Sequence, residues 1–196
     1  SRLALAMAES RPTARACADG SHPRRRSRSR APSRQRRPLS PTRSPIRVDG
    51  VRAATKPGFS LGVRLSPERW GIQTLEIRDV AQRLMNEAKT DYIDMSLWDV
   101  KKEPQDEALQ GRTLASYFTD LKRNGTLLGA AGKIMSAQDC RDLLAAGFDF
   151  PILGRAAILH HDFPKKAVAD PNFHTIATPV SEAYLNAGGL GPAFVN

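Results

Sequence analysis

Four short apolar runs, each followed by a helix-forming segment, set the tightest limit on what this chain can fold into. They lie at Phe59–Ser66, Asp91–Trp98, Thr126–Ala131 and residues 148–153, and they begin roughly 30 residues apart. Val48, Val51 and Ala54 mark the end of an amphipathic helix that Lys56-Pro57-Gly58 stops before the first run. Thr74 is expected to cap a helix with Ile77, Val80, Ala81, Leu84 and Met85 on its apolar face. Thr113 is expected to cap another through Leu121 and Lys122, ended by Gly125, and Ser136 a third, whose Leu143 and Leu144 face inward before Gly147. Strand and helix in strict alternation with short links predict parallel βα units, as in a (β/α)8 barrel or a doubly wound sheet. In either fold the ligand side is the C-terminal end of the strands.

The chain's charge is concentrated in one segment. The whole sequence has a net charge of +10, yet residues 1–47 hold 13 Arg and no Lys against Glu9 and Asp19. That is +11, which leaves −1 for the 149 residues that follow. Residues 10–47 are low in complexity, built from Arg, Ser and Pro as in Pro23-Arg24-Arg25-Arg26-Ser27-Arg28-Ser29-Arg30, and bury too little to offset the entropy of ordering. Such a tract can contact RNA phosphates, which makes a basic RNA-binding arm on a small α/β domain the competing functional reading. Against nucleic acid, the tract has no aromatic residue on which a base could stack. Cys17 and Cys140 differ too much in context to suggest a disulfide framework or a metal site, and Cys140 reads as helix core. No run approaches the ~18 apolar residues of a membrane helix, and the Ser1–Ala8 stretch is too short for a secretory signal. A cytoplasmic address is the resulting expectation.

The ends of the runs carry the chemistry. Leu153 is followed by Gly154 and Arg155, and Ala131 by Gly132 and Lys133, so two successive runs close with a glycine and a cation. Glycine lets backbone approach a phosphate closely, arginine can bind its oxygens with two hydrogen bonds, and peptide N–H groups at a helix start add to both. Arg64 lies between Val63 and Leu65 in the first run, where a charge is costly to bury unless an anionic or electron-rich group receives it. An acidic neighbour forming an ion pair is the equally weighted alternative. The placement puts Arg64, Ser96, Trp98, Gly132, Lys133, Gly154 and Arg155 on one rim.

Taken together, Gly62-Val63-Arg64-Leu65-Ser66-Pro67-Glu68, Asp91-Tyr92-Ile93-Asp94-Met95-Ser96-Leu97-Trp98-Asp99, Ala131-Gly132-Lys133-Ile134 and Leu153-Gly154-Arg155-Ala156-Ala157-Ile158-Leu159-His160-His161-Asp162-Phe163-Pro164 resemble the C-terminal half of the old yellow enzyme family of NADH:flavin oxidoreductases. The resemblance covers about residues 46–196 and implies that the four runs are strands five to eight of an FMN-binding (β/α)8 barrel. It implies a hydride donor, NAD(P)H, and a small enone-like or quinone-like acceptor. It places Arg64 against the pyrimidine side of the flavin, and Ala131, Gly132, Gly154 and Arg155 around the FMN phosphate. Residues 94–98 would line the substrate side or the barrel mouth. No metal is implied, and oligomerisation is left open.

The resemblance also implies what this chain lacks. The family's first four strands supply the His/Asn or His/His pair that holds the acceptor's carbonyl oxygen and the tyrosine that donates a proton, so no catalytic residue is assigned here. His160 and His161 follow the last strand and are expected to be surface or packing residues. A half barrel is expected to bind FMN weakly or not at all, to lack turnover, and to aggregate or pair with another half barrel through its open edges.

Residues 1–45 are thus expected to be a disordered segment, and their origin is in question because the resemblance resumes near Ile46, inside a helix. A domain boundary there would remove the helix's cap and half its burial. An Arg-, Ser-, Pro- and Ala-rich tract without Lys, Ile or aromatics is what a GC-rich gene yields out of frame, and we favour a frameshift over a genuine arm or a truncation. Resequencing the locus and translating the other two frames across these codons should recover the Tyr-Gly-Gly-Ser…Asn-Arg pattern that precedes the family's fifth strand; its absence from both frames rules the idea out.

Overall fold

A computed structural model describes residues 43–191 and 193. What the sequence leads one to expect of residues 1–42, disorder included, concerns residues outside those described. Helix α1 (Arg43–Ala54) leads into β1 (Gly62–Leu65), α2 (Thr74–Glu87) and β2 (Tyr92–Ser96). After a loop with two short 3-10 turns come β3 (Leu127–Ala131), α3 (Ala137–Ala145) and β4 (Phe150–Ile152), then the short helices α4 (Arg155–Leu159), α5 (Phe163–Ala169) and α6 (Glu182–Ala187). The strands form one parallel sheet in the order β1-β2-β3-β4. The fold is therefore α/β, with each strand paired to its successor.

Register partners in a parallel sheet project to the same side, so the pairing sorts the side chains into two faces. One face carries Val63, Leu65, Ile93, Met95, Leu128, Ala130 and Pro151. Ile93, Met95, Leu128 and Ala130 are fully buried there beneath Ile77, Ala81, Leu84 and Met85 of α2, with Phe118 and Leu143, in the hydrophobic core. The other face carries Tyr92, Leu127, Arg64, Phe150 and Ile152, none of which belongs to that core. Sequential right-handed crossovers put every connection on the same side, which is why the helical layer covers only one face.

Two aspartates pin the register at the N-terminal edge. Asp91 Oδ2 accepts the Leu61 N–H at 2.6 Å and a hydrogen bond from Arg52 Nη2 at 2.7 Å. Asp149 Oδ2 does the same for the Leu128 N–H, 2.6 Å, while paired with Arg123. Each carboxylate stands immediately before a strand and ties it to the preceding one. Arg52 also donates to the carbonyls of Phe59 and Lys89, so α1 is held to the same edge.

Several expectations need correction. The residue at the N-cap of α2 is Gln73, whose N–H donates to Glu76 at 2.9 Å. Thr74 is buried in the first turn because its hydroxyl donates instead to Glu68, 3.2 Å away. Thr113 does cap, but it starts a single 3-10 turn, Leu114–Tyr117, and not a helix reaching Lys122. Arg78 of α2 donates to the Tyr117 carbonyl, which an α-helix would need for the Leu121 N–H, and holds Asp120 with two further bonds of 2.6 and 3.1 Å. In α3, Ser136 caps the Asp139 N–H at 3.0 Å, Ala137 and Leu143 are buried, and Cys140 packs partly buried on the core. Leu144 is instead 45% exposed, since it lies about 100° round the helix from Leu143. Val80 is likewise only partly buried. The strands begin later than the apolar runs, because residues such as Leu61 and Thr126 bond to the aspartate clamp or a turn and not to a strand ladder, and all but β3 also end earlier.

This inner stripe can be measured. Leu143→Ala should lower stability by about 2–5 kcal/mol and Leu144→Ala by no more than about 0.5 kcal/mol, read from the midpoints of urea unfolding.

Candidate functional site

The C-terminal rim is built by three strand exits, each in an unusual backbone state. Among non-glycine residues with positive φ, Glu68 (60°) and Trp70 (51°) follow β1, Trp98 (65°) follows β2 and Lys133 (49°) follows β3. Such conformations persist only where the surroundings over-determine them, and they cluster at functional sites. The surroundings here are visible. Glu68 turns inward to accept hydrogen bonds from Thr74, the Gln105 N–H (2.6 Å) and Lys102. Lys133 reaches Asp99 at 2.9 Å, and the Ala131 and Gly132 carbonyls accept the Leu97 and Val100 N–H groups at 2.8 and 3.3 Å.

Arg64, Ala131, Gly132, Gly154 and Arg155 all lie toward this rim, with Arg64 level with Asp94, Gly129 and Phe150, and Ala131 level with Ser96 and Ile152. Ala131–Gly132 and Gly154–Arg155 are brought together on adjacent strands. Arg64 stands apart, three strand spacings or about 14 Å across the sheet from β4.

The two glycines differ in what they make room for. A Cβ on Gly132 would sit 2.8 Å from the Asp99 nitrogen and 3.0 Å from Trp98 C and Val100 N, so this position is glycine because the β2 exit loop packs directly on it. A Cβ on Gly154 would meet nothing within 4 Å. Gly154 and Arg155 are exposed at the start of α4, with open space before them. The open space thus lies at Gly154 and Arg155, while Gly132 is taken up by the packing of the β2 exit loop.

Arg64 donates from Nε to Asp94 Oδ2 at 2.5 Å. The acidic neighbour of the sequence reading is thus Asp94, its register partner on β2. The pair is unequal: the Asp94 side chain is 4% exposed and Arg64 41%. Asp94 Oδ1 is buried without a hydrogen-bond partner. Burial pushes the Asp94 carboxyl above its ordinary 3.8, and the Arg64 hydrogen bond and charge only partly oppose this.

Trp98 and Asp94 were the rim residues least defined by sequence. Trp98 is 70% exposed with the Arg69 guanidinium 4.8 Å above its ring, and only its left-handed backbone marks it out from an ordinary surface aromatic. His160 packs edge-to-face on Phe173 and its Nε2 accepts the Ile176 N–H at 3.2 Å. His161 is exposed and lines an open cleft of about 380 Å³ with Asp162, Lys166 and Tyr184, beyond α4. Neither histidine lies among the strand exits. Among the described residues no cluster of His, Cys, Asp and Glu could hold a metal ion, and no helix is long and apolar enough to cross a membrane.

Asp94 gives the rim a pH signature. A carboxyl whose folded-state pKa is raised contributes its full stability below the unfolded value of 3.8 and loses it as pH rises through that value toward the folded one. Asp94→Asn removes this loss, so its stability relative to the parent chain should increase as pH is raised from about 3.8, measured by urea unfolding at pH 3.5, 5 and 7. A relative stability that falls over this range would show that the Arg64 bond dominates. The chain matches no model of a known protein family and no curated protein.

Proposed function

We propose that this chain is the C-terminal half of an FMN-dependent NAD(P)H oxidoreductase of the old yellow enzyme type, its four strands being the fifth to eighth of a (β/α)8 barrel. The observation that carries the reading is the placement of Ala131, Gly132, Gly154 and Arg155 at the C-terminal exits of β3 and β4, with Arg64 across the same face of the parallel sheet. Sequential pairing of parallel strands with helices on one side agrees with half of such a barrel.

In this reading Gly154 and Arg155 hold the FMN phosphate: the glycine leaves space for close approach, and the guanidinium supplies two charge-assisted hydrogen bonds. Gly132 shapes the adjoining wall and Ala131 leaves its surface low. The separation of β4 from β1 suits a ligand with its phosphate at one end and a polar ring at the other. Arg64 faces that ring: Asp94 occupies its Nε and fixes the side chain, leaving the terminal nitrogens to receive negative charge. When bound, FMN supplies hydride transfer from NAD(P)H to an enone-like or quinone-like acceptor. The residues that would hold the acceptor's oxygen and return a proton belong to the other half barrel, so this chain binds and tunes but completes no turnover alone.

FMN fluorescence titration tests the reading, with riboflavin as the ligand that lacks the phosphate. FMN should bind weakly, more tightly than riboflavin, without NAD(P)H oxidase activity. Arg155→Ala should weaken FMN by roughly tenfold and leave riboflavin unchanged. Equal affinities for the two flavins, before and after the substitution, exclude the phosphate corner; tight binding with turnover excludes the half-site.

A further inference from the structure

The sheet is parallel throughout, yet only one of its faces is covered. All-parallel sheets are found almost only with both faces buried, so the second face calls for an occupant. Beside the Arg64–Asp94 pair it is apolar: Tyr92 and Phe150 pack edge-to-face, 5.9 Å between centroids, each ring lying over a glycine of the adjacent strand, Gly62 and Gly129. Leu127 is 51% exposed on the same face, and Ile152 is only partly buried. Both edges of the sheet, the outer sides of β1 and β4, pair with no described strand.

We infer that the occupant is a second copy of this chain, related by a twofold axis parallel to the strands, so that two four-stranded sheets close into one eight-stranded barrel. Three observations favour this partner. A rotation about such an axis sets β4 of one copy beside β1 of the other in the same direction, at both seams, and removes every open edge at once. Eight strands enclose an interior just wide enough for side chains to fill, and Tyr92, Phe150, Leu127 and Ile152, with the Arg64–Asp94 pair, are available to fill it. The charges on the face compensate within each copy, Arg64 against Asp94, so two such faces meet without net repulsion. Residues 1–42 are a poor cover for it, with 11 Arg and no Phe, Tyr or Trp. The inference rests on the sheet and not on the flavin reading, and each can fail without the other.

Sedimentation equilibrium of the full 196-residue chain tests it, with hydrogen exchange on the same samples. The expected species has twice the 21.5 kDa chain mass, and on dilution its amides in β1 and β4 lose protection as the dimer dissociates. Leu127→Glu and Leu127→Lys, at a position already half exposed and therefore compatible with the folded monomer, should each weaken the dimer at least ~tenfold with an unchanged circular dichroism spectrum. The two Leu127 positions face one another across the twofold axis, so mixing the Glu and Lys variants should restore pairing. Val168→Glu, on the 87% exposed surface of α5, should leave the dimer unaltered. A monomer at all concentrations, whether its second face is protected or open, overturns the inference. Open-ended assemblies, or variants that weaken the dimer but do not pair when mixed, overturn it equally.

Discussion

The register of the sheet depends on a carboxylate placed one residue before a strand. Asp91 and Asp149 each turn back to accept a backbone N–H from the neighbouring strand while an arginine, Arg52 or Arg123, neutralises the charge. A slip of one residue would move Ile93, Met95, Leu128 and Ala130 out of the core and onto the uncovered face, so these clamps fix more than their own bonds. For Asp91, desolvation works against the charged form, but the Leu61 N–H and Arg52 outweigh it and hold its carboxyl below the ordinary range. At that end of the sheet, ionisation supports the fold.

The opposite sign holds on the uncovered face. Asp94 is more deeply buried than Asp91, keeps one oxygen unpaired, and has its carboxyl pushed up. The strand exits nearby also hold Glu68, Trp70, Trp98 and Lys133 in left-handed backbone. Paired carboxylates stand at both ends, Asp91 before β2 and Asp99 after it, each held below the ordinary range, so the raised Asp94 in the middle of the strand is the exception. The paired carboxylates fix the strands around it, so the cost of the half-paired Asp94 is borne by the rest of the sheet.

The parts of this arrangement that were legible in sequence are those set by local pattern. Apolar runs and caps marked all four strands, α2 and α3, since Ile77, Ala81, Leu84 and Met85 follow a helical period and Ser136 a cap. What escaped was decided by residues far apart in the chain. Thr74 lost its capping role to Glu68, and the segment after Thr113 lost its helix to Arg78, more than thirty residues upstream. The same limit applies to the site. Glycine followed by a cation marked both Gly132 and Gly154, but only the tertiary packing of residues 98–100 shows that one fills a contact and the other opens a space. Asp94 was one acidic residue among many until the register placed it opposite Arg64.

Were a partner to cover the second face and a ligand to reach the rim, the two would be linked through Arg64. In the isolated sheet this side chain is 41% exposed, and water screens its charge. Any partner that covers the face displaces that water, strengthening both the bond to Asp94 and the field that the terminal nitrogens present to an anionic or electron-rich ring. Burial also makes a lone Asp94 carboxylate costlier, so the gain is realised only if Arg64 remains in place between the two. A ligand that draws on Arg64 therefore favours the covered state, and by linkage the covered state binds that ligand more tightly. The ion pair in the middle of the bare face is in this sense the element through which assembly and ligand binding would act on one another.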